Sequence, residues 1–368
     1  MATMPEDARA ITTMADVARV AGVSVSTVSH VVNGTRNVSE QAERAVRDAI
    51  HATGYTHDRI ARSLATGRTR TIGLAMSAIS NPYFAELAHA VEQEAARGGY
   101  TLLLADTHDE PERELRATRD LLGRRVDGVI LAPSGQPEAA LELLRQRGMP
   151  TVLIDRFAAA DLDQIATENV APTAMLVEHL AELGHERIGI VAGLAGLATS
   201  EERIEGYRRG LESSSLQFDP ELVVRGDSAA APARAAVHRL LRLERPPTAL
   251  VVTNNRMTIG VMRALRDASL SVPDDIALVA FDDFEWADLF HPRLTTIAQA
   301  TTQIGEQAVT MLLTRLANPD LFARKVRLEP RFVHRESCGC RPDGAGSPAA
   351  GDGAARAETS RRAPQPSS

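Results

Sequence analysis

Between residues 71 and 337 the chain alternates two kinds of apolar pattern. Short continuous apolar runs recur: IGLAM (72–76), TLLLAD (101–106), GVILAP (128–133), TVLID (151–155), RIGIVAG (187–193), LVVRG (222–226), ALVVTN (249–254) and IALVAFD (276–282). Runs without polar alternation mark strands buried on both faces. Between most of them lie stretches with helical spacing of apolar residues, for example 83–96, 111–122, 173–183 and 203–211. Strand–helix–strand repetition predicts parallel, doubly wound sheets, and eight strands divide naturally into two of them. Ligands in such folds sit beyond the C-terminal strand ends, so the residues that follow each run are the candidates for function.

Residues 11–56 read instead as short helices. Thr13 followed three positions later by Asp16 is close to a capping box, and Ala15, Val17, Ala18 and Ala21 give the first helix a small apolar face. Gly22 supplies a tight turn and Ser24 a cap for a second helix from 25 to about 32. That helix turns Val28 and Val31 or Val32 inward and leaves Val25, Ser26, Ser29 and His30 outside. A third helix follows Ser39, with Ala42, Val46, Ala49 and Ile50 at helical spacing. This is the helix-turn-helix plan. Residues 341–368 are rich in Pro, Gly, Ala and Ser without periodicity and read as a disordered tail.

Charge sharpens this division. The whole chain of 368 residues carries a net charge of −7, which argues against a molecule coated overall in nucleic acid. Residues 11–70, however, hold eight arginines against five acidic residues. A basic module on an acidic body suits a phosphate-contacting head joined to a sensor. The only cysteines, Cys338 and Cys340, are two ligands short of a structural zinc site and too close in sequence for a relaxed disulfide, so neither a metal nor a cofactor is expected. The polar start MATMPEDARA and the lack of a long apolar run predict a cytoplasmic, nucleoid-associated protein. No G-x-G-x-x-G follows a strand, no G-x-x-x-x-G-K-[ST] is present, and no nucleophile–base pair stands out, so an enzyme is not expected.

The wording MADVARVAGVSVSTVSHVVNGTRNVSE (14–40), then GY at 54–55 and RIARSLATGRTRTIGL (59–74), resembles the lactose/galactose repressor (LacI/GalR) family, with the likeness running from about 14 to 340. The resemblance implies an α/β fold class: an N-terminal all-α helix-turn-helix head (11–56), a hinge helix and linker (57–70), and a periplasmic-binding-protein-like body (71–340). That body has two flavodoxin-like parallel-sheet subdomains, an N-subdomain of about 71–165 plus 297–323 and a C-subdomain of about 166–293 plus 324–337. It further implies a homodimer on a double-stranded, palindromic DNA operator, controlled by a small-molecule effector bound between the subdomains. The tail has no heptad, so a dimer rather than a tetramer is expected.

By position, Val25 and Ser26 would open the recognition helix, and Ser29 would touch the backbone or a base. His30 stands where the family usually has Arg, losing the bidentate grip on guanine that Arg offers. Thr13, Ser24, Thr27 and Asn33 would hold phosphates or serve as caps. Ala61 and Leu64 fall in a short hinge segment (58–67), where Leu64 would wedge into the minor groove. Effector contacts carried over are Tyr83, Phe84, Asp155, Arg203, Asn254 and Asp282, with Asn255 replacing the usual Asp and Asp283 expected to brace the hinge. Several members place an aromatic ring where this chain has Ser228; Trp286 is either its replacement or a packing residue. Two carboxylates, asparagines and an arginine beside aromatics suit a sugar or sugar derivative. Control by a nucleobase or by a partner protein is the alternative, and a periplasmic solute-binding protein is disfavoured.

Overall fold

A computed structural model of the protein describes residues 12–33, 36–55, 68–77 and 81–340. The expected hinge helix at 58–67, with Ala61 and Leu64, and the expected tail at 341–368 lie outside these residues.

The head is built as its caps dictate. In α1 (Met14–Ala21) the Thr13 hydroxyl accepts from the Asp16 N–H while the Asp16 carboxylate accepts from the Thr13 N–H at 3.0 Å, a reciprocal capping box. Gly22 ends the helix at φ 65°, a conformation that costs a side-chain-bearing residue. Ser24 Oγ then accepts from the Thr27 N–H at 3.1 Å and starts α2 (Val25–Asn33). Ser39 caps α3 (Glu40–Thr53). Val17, Val28, Val46 and Ala49 close a small core that Tyr55 completes.

The body holds two six-stranded sheets. The first runs β11-β5-β4-β3-β1-β2 and is parallel throughout. Its strands are β1 (Thr71–Met76), β2 (Thr101–Asp106), β3 (Gly128–Leu131), β4 (Thr151–Asp155), β5 (Asp163–Thr167) and β11 (Lys325–Leu328). Helices α4 (Pro82–Arg97) and α11 (Thr301–Ala317) cover one face, and α5 (Pro111–Gly123) with α6 (Glu138–Gln146) cover the other. The second sheet runs β12-β10-β9-β8-β6-β7, with only β12 antiparallel. Its strands are β6 (Ile188–Ala192), β7 (Val223–Arg225), β8 (Ala249–Val252), β9 (Ala277–Phe281), β10 (Thr295–Ala298) and β12 (Arg331–Val333). Here α7 (Val170–Glu182) packs with α8 (Ala198–Ser213) on one face, and α9 (Ala230–Leu240) with α10 (Asn255–Asp267) on the other.

The chain passes between the lobes three times, at 168–169, 299–300 and 329–330. The expected subdomain limits therefore shift. β10 extends the second sheet beside β9, so that lobe continues to 298 rather than 293. β11 extends the first sheet beside β5, so the last crossing falls after 328 rather than after 323.

One close approach positions the functional side chains. A Cβ at Gly206 would strike the Val170 carbonyl, and one at Gly210 the Ala174 carbonyl. Glycine at both places lets α8 lie against α7, which brings Arg203 to the first crossing.

Candidate functional site

A polar cavity of about 50 Å³ opens between the lobes at the C-terminal ends of β1, β4, β6, β8 and β9. It adjoins a second hollow of about 240 Å³ lined by Glu86, Asp282, Asp283, Glu285, Gln299 and Arg335. Of the expected effector residues, Tyr83, Phe84, Asp155, Arg203, Asn254 and Asp282 all line the first cavity. A larger, more apolar groove lies along α10 and residues 270–274 and 290–292, away from the strand ends.

In the first lobe Asn81 caps α4, its side-chain oxygen accepting from the Tyr83 N–H at 3.1 Å. This aims Tyr83 and Phe84, packed edge to face, from the helix start toward the cleft. The Tyr83 hydroxyl is buried beside Asp155 without a well-formed hydrogen bond; burial, then the charge of Asp155, holds its pKa well above the usual tyrosine range. Asp155 accepts from Arg156 Nε at 2.7 Å, and Arg156 Nη1 donates to Asp109 Oδ1 at 2.8 Å. Asp109 also accepts from Ser77 Oγ at 2.6 Å. The Arg156 guanidinium is only 4% exposed, and the two carboxylates outweigh its burial and keep it firmly charged.

In the second lobe the Arg203 guanidinium carbon lies over the Phe281 ring, 3.8 Å from its centroid. Its Nε donates to Asn169 Oδ1 at 2.9 Å and its Nη1 to the Thr253 carbonyl at 2.5 Å. Its Nη2 stands 3.9 Å from Asp282 Oδ1, an attraction without a hydrogen bond. Asp282 accepts from Gln299 Nε2 at 2.6 Å. Burial raises its pKa, although Arg203 and Gln299 pull the other way. Asn254 caps α10, its side-chain oxygen accepting from the Met257 N–H at 2.8 Å. Next to it Asn255 is buried with neither side-chain atom hydrogen-bonded. Asp283 turns away and accepts from Arg335 Nη1 at 2.8 Å.

Trp286 is not in the cleft. The chain turns inward at Phe284, and the short 3₁₀ turn at Glu285–Asp288 leaves Trp286 52% exposed, edge-on to Phe284. Neither role raised for it is observed, since it is neither a cleft ring nor packed under the crossing strands. Ser228 lines the cavity without a ring, and its Oγ accepts from the Leu194 N–H at 3.1 Å. Sequence reasoning missed Asp109, Asn169 and Gln299. They sit after β2 or on the crossings, where only the fold brings them to Arg156, Arg203 and Asp282.

On the head, Val25 is 48% exposed and Ser26 is exposed, at the start of α2. Ser24 Oγ lies 2.7 Å from Ser26 Oγ and 2.8 Å from Thr27 Oγ1, so the three hydroxyls form one polar cluster there. Ser29 and His30 follow, half-buried. Thr13 is engaged as a cap through Asp16. Asn33 ends α2, and its side chain lies outside the described residues.

Comparison with known proteins agrees with this layout. Residues 13–58 match the model of bacterial regulatory proteins of the lacI family, and residues 177–338 match a periplasmic binding protein-like domain. The chain is 35% identical over 329 residues to the HTH-type transcriptional repressor PurR of Haemophilus influenzae, covering 88% of this chain and 98% of that one. Among solved structures, the Lac repressor dimer bound to operator and the anti-inducer ONPF aligns with a TM-score of 0.80 at 29% identity, covering 89% of this chain and 99% of that one. A complex of the transcriptional regulator CelR with cellobiose aligns at 0.69 and 28%, with 89% and 99% covered.

Proposed function

The chain belongs to the lacI family of bacterial regulatory proteins and is a transcriptional repressor by descent, and from that footing we propose that its interlobe cleft takes a sugar or sugar derivative which sets operator affinity. The observation that carries this reading is the opposed set Asp155, Arg203 and Asp282 around the unsatisfied Tyr83 hydroxyl. Carboxylates accept from hydroxyl groups, a guanidinium donates to them, and a buried hydroxyl without a good partner is completed by a polar ligand. No ring stands at Ser228 to stack on a flat base, and CelR supplies a relative whose ligand is a sugar. A nucleobase is the second reading. It stays in view because PurR repressors match over 98% of their length at 35% identity.

Occupancy would reach the head through the crossings. Arg203 is bonded to Asn169 on the first crossing and Asp282 to Gln299 on the second. A ligand that engages Arg203 and Asp282 together favours one lobe arrangement over another, which is all that control requires. The heads of a homodimer would then read a palindromic operator in the cytoplasm, with Val25, Ser26, Ser29 and His30 toward the bases and Ala61 and Leu64 at the minor groove. The test is a mobility-shift assay on operator fragments selected from the source genome, with and without panels of sugars and of nucleobases. A sugar that changes the shift supports the proposal; a response to nucleobases alone supports the second reading.

A further inference from the structure

Behind the second sheet, far in sequence from any expected ligand, four metal-binding side chains converge. His179 on α7, His334 just after β12, and Cys338 and Cys340 in the closing segment bring one ligand atom each to within 4.8 Å of one another. Two cysteines alone cannot close a metal site, which is why none was expected; the fold adds two histidines, one of them 161 positions upstream of Cys340. His179 Nε2 is already 3.6 Å from Cys340 Sγ. Around a tetrahedral zinc ion with ordinary Zn–S and Zn–N lengths, ligand atoms stand about 3.4–3.8 Å apart. His179, His334 and Cys340 are half-buried or exposed, so their side chains have room to turn toward the buried Cys338 sulfur.

We propose that His179, His334, Cys338 and Cys340 form a structural Cys₂His₂ zinc site that fastens the end of the body to α7.

The surroundings suit that role. Gly339 takes φ 89°, a turn that only glycine makes freely, and it lets the two flanking thiols serve one centre. Cys338 is fully buried, and the Thr295 hydroxyl donates to its sulfur at 3.4 Å, an outer partner that steadies a thiolate ligand. Phe332 shields one side, stacked on the His334 ring at 6.0 Å and edge-on to His179 at 5.3 Å. Four protein ligands leave no open position, so the site is structural rather than catalytic. It ties β12, the antiparallel edge that the chain reaches after its last crossing, to a helix of the same lobe. The soft sulfur–nitrogen set favours zinc over magnesium or calcium.

The experiment uses the full chain purified under reducing conditions, its metal content measured by plasma mass spectrometry, and Co²⁺ exchanged in as an optical probe. The expected result is one zinc per chain, with tetrahedral d–d and thiolate charge-transfer bands on cobalt exchange. Stripping the metal should lower the thermal midpoint by roughly 5 °C. The paired variant Cys340→Ser with His334→Gln changes only a half-buried and an exposed residue, and it should lose both the metal and the chelator effect. Reduced protein that takes up no zinc at micromolar concentration would overturn the proposal. So would undiminished zinc in the paired variant, or a Cys338–Cys340 disulfide in place of a metal.

Discussion

Asp155 closes β4 and Asp282 immediately follows β9, strands each third in its sheet, and both residues hold the left-handed backbone at φ 70° and 74°. A non-glycine residue rarely keeps that conformation, and two of them at matching strand ends mark the cleft as a place where strain serves position. Their environments differ. Asp155 is neutralised at 2.7 Å by Arg156, whereas Asp282 has Arg203 only at 3.9 Å.

That difference predicts a pH signature for Asp282→Asn. The folded pKa of Asp282 is raised by burial, so its ionised form disfavours the folded state. The cost is absent where the group is protonated in both states and sets in as pH rises above about 4. The variant should therefore unfold at higher denaturant than wild type at pH 7, the gap closing as pH falls below about 4, while effector affinity drops. Equal stability of the two at pH 7 would contradict this.

Tyr83→Phe should separate binding from folding. Removing a buried hydroxyl that lacks a good partner costs little stability, but a ligand that completes it would bind roughly 10-fold more weakly. Thermal melts and titration of the same preparation measure both. A variant that binds as tightly as wild type would take Tyr83 out of the site.

Arg156→Met should do the opposite. It leaves Asp155 buried without its cation and the part-buried Asp109 with Ser77 alone, so a loss of about 3–5 kcal/mol in urea unfolding is expected. A loss under about 1 kcal/mol would mean that the two carboxylates find other partners or water.

Eight of the twelve described strands were legible from their continuous apolar runs, although the edge strands β2 and β7 are only part-buried. β5 was not, since its Asp163 and Gln164 read as loop residues. In the fold both are buried yet satisfied, Asp163 by Arg315 and Arg324 and Gln164 by the Ala158 and Ala160 backbone. β10, β11 and β12 are three or four residues long and mix polar with apolar positions at the lobe junction, so no period could emerge. Six of the seven expected effector positions, carried over from the family resemblance, line one cavity because strand ends converge in this topology. Trp286 was misplaced because nearness to Asp282 in sequence does not survive the turn at Phe284. His179 could not be joined to Cys338 without the fold.

On the head, His30→Arg should change which operator is chosen rather than whether DNA is bound. Arg can form two hydrogen bonds to guanine, worth about 1–3 kcal/mol of discrimination. Selection from a randomised operator library should enrich guanine at one position per half-site in the variant. An unchanged consensus would remove His30 from base reading.

Calorimetric titration of the full chain against sugars, sugar acids and nucleobases tests the central claim most directly. A sugar or sugar derivative should bind one per chain, with affinity sharply reduced in Tyr83→Phe and Asp282→Asn. Binding of nucleobases alone, or sugar binding untouched by both substitutions, would contradict it.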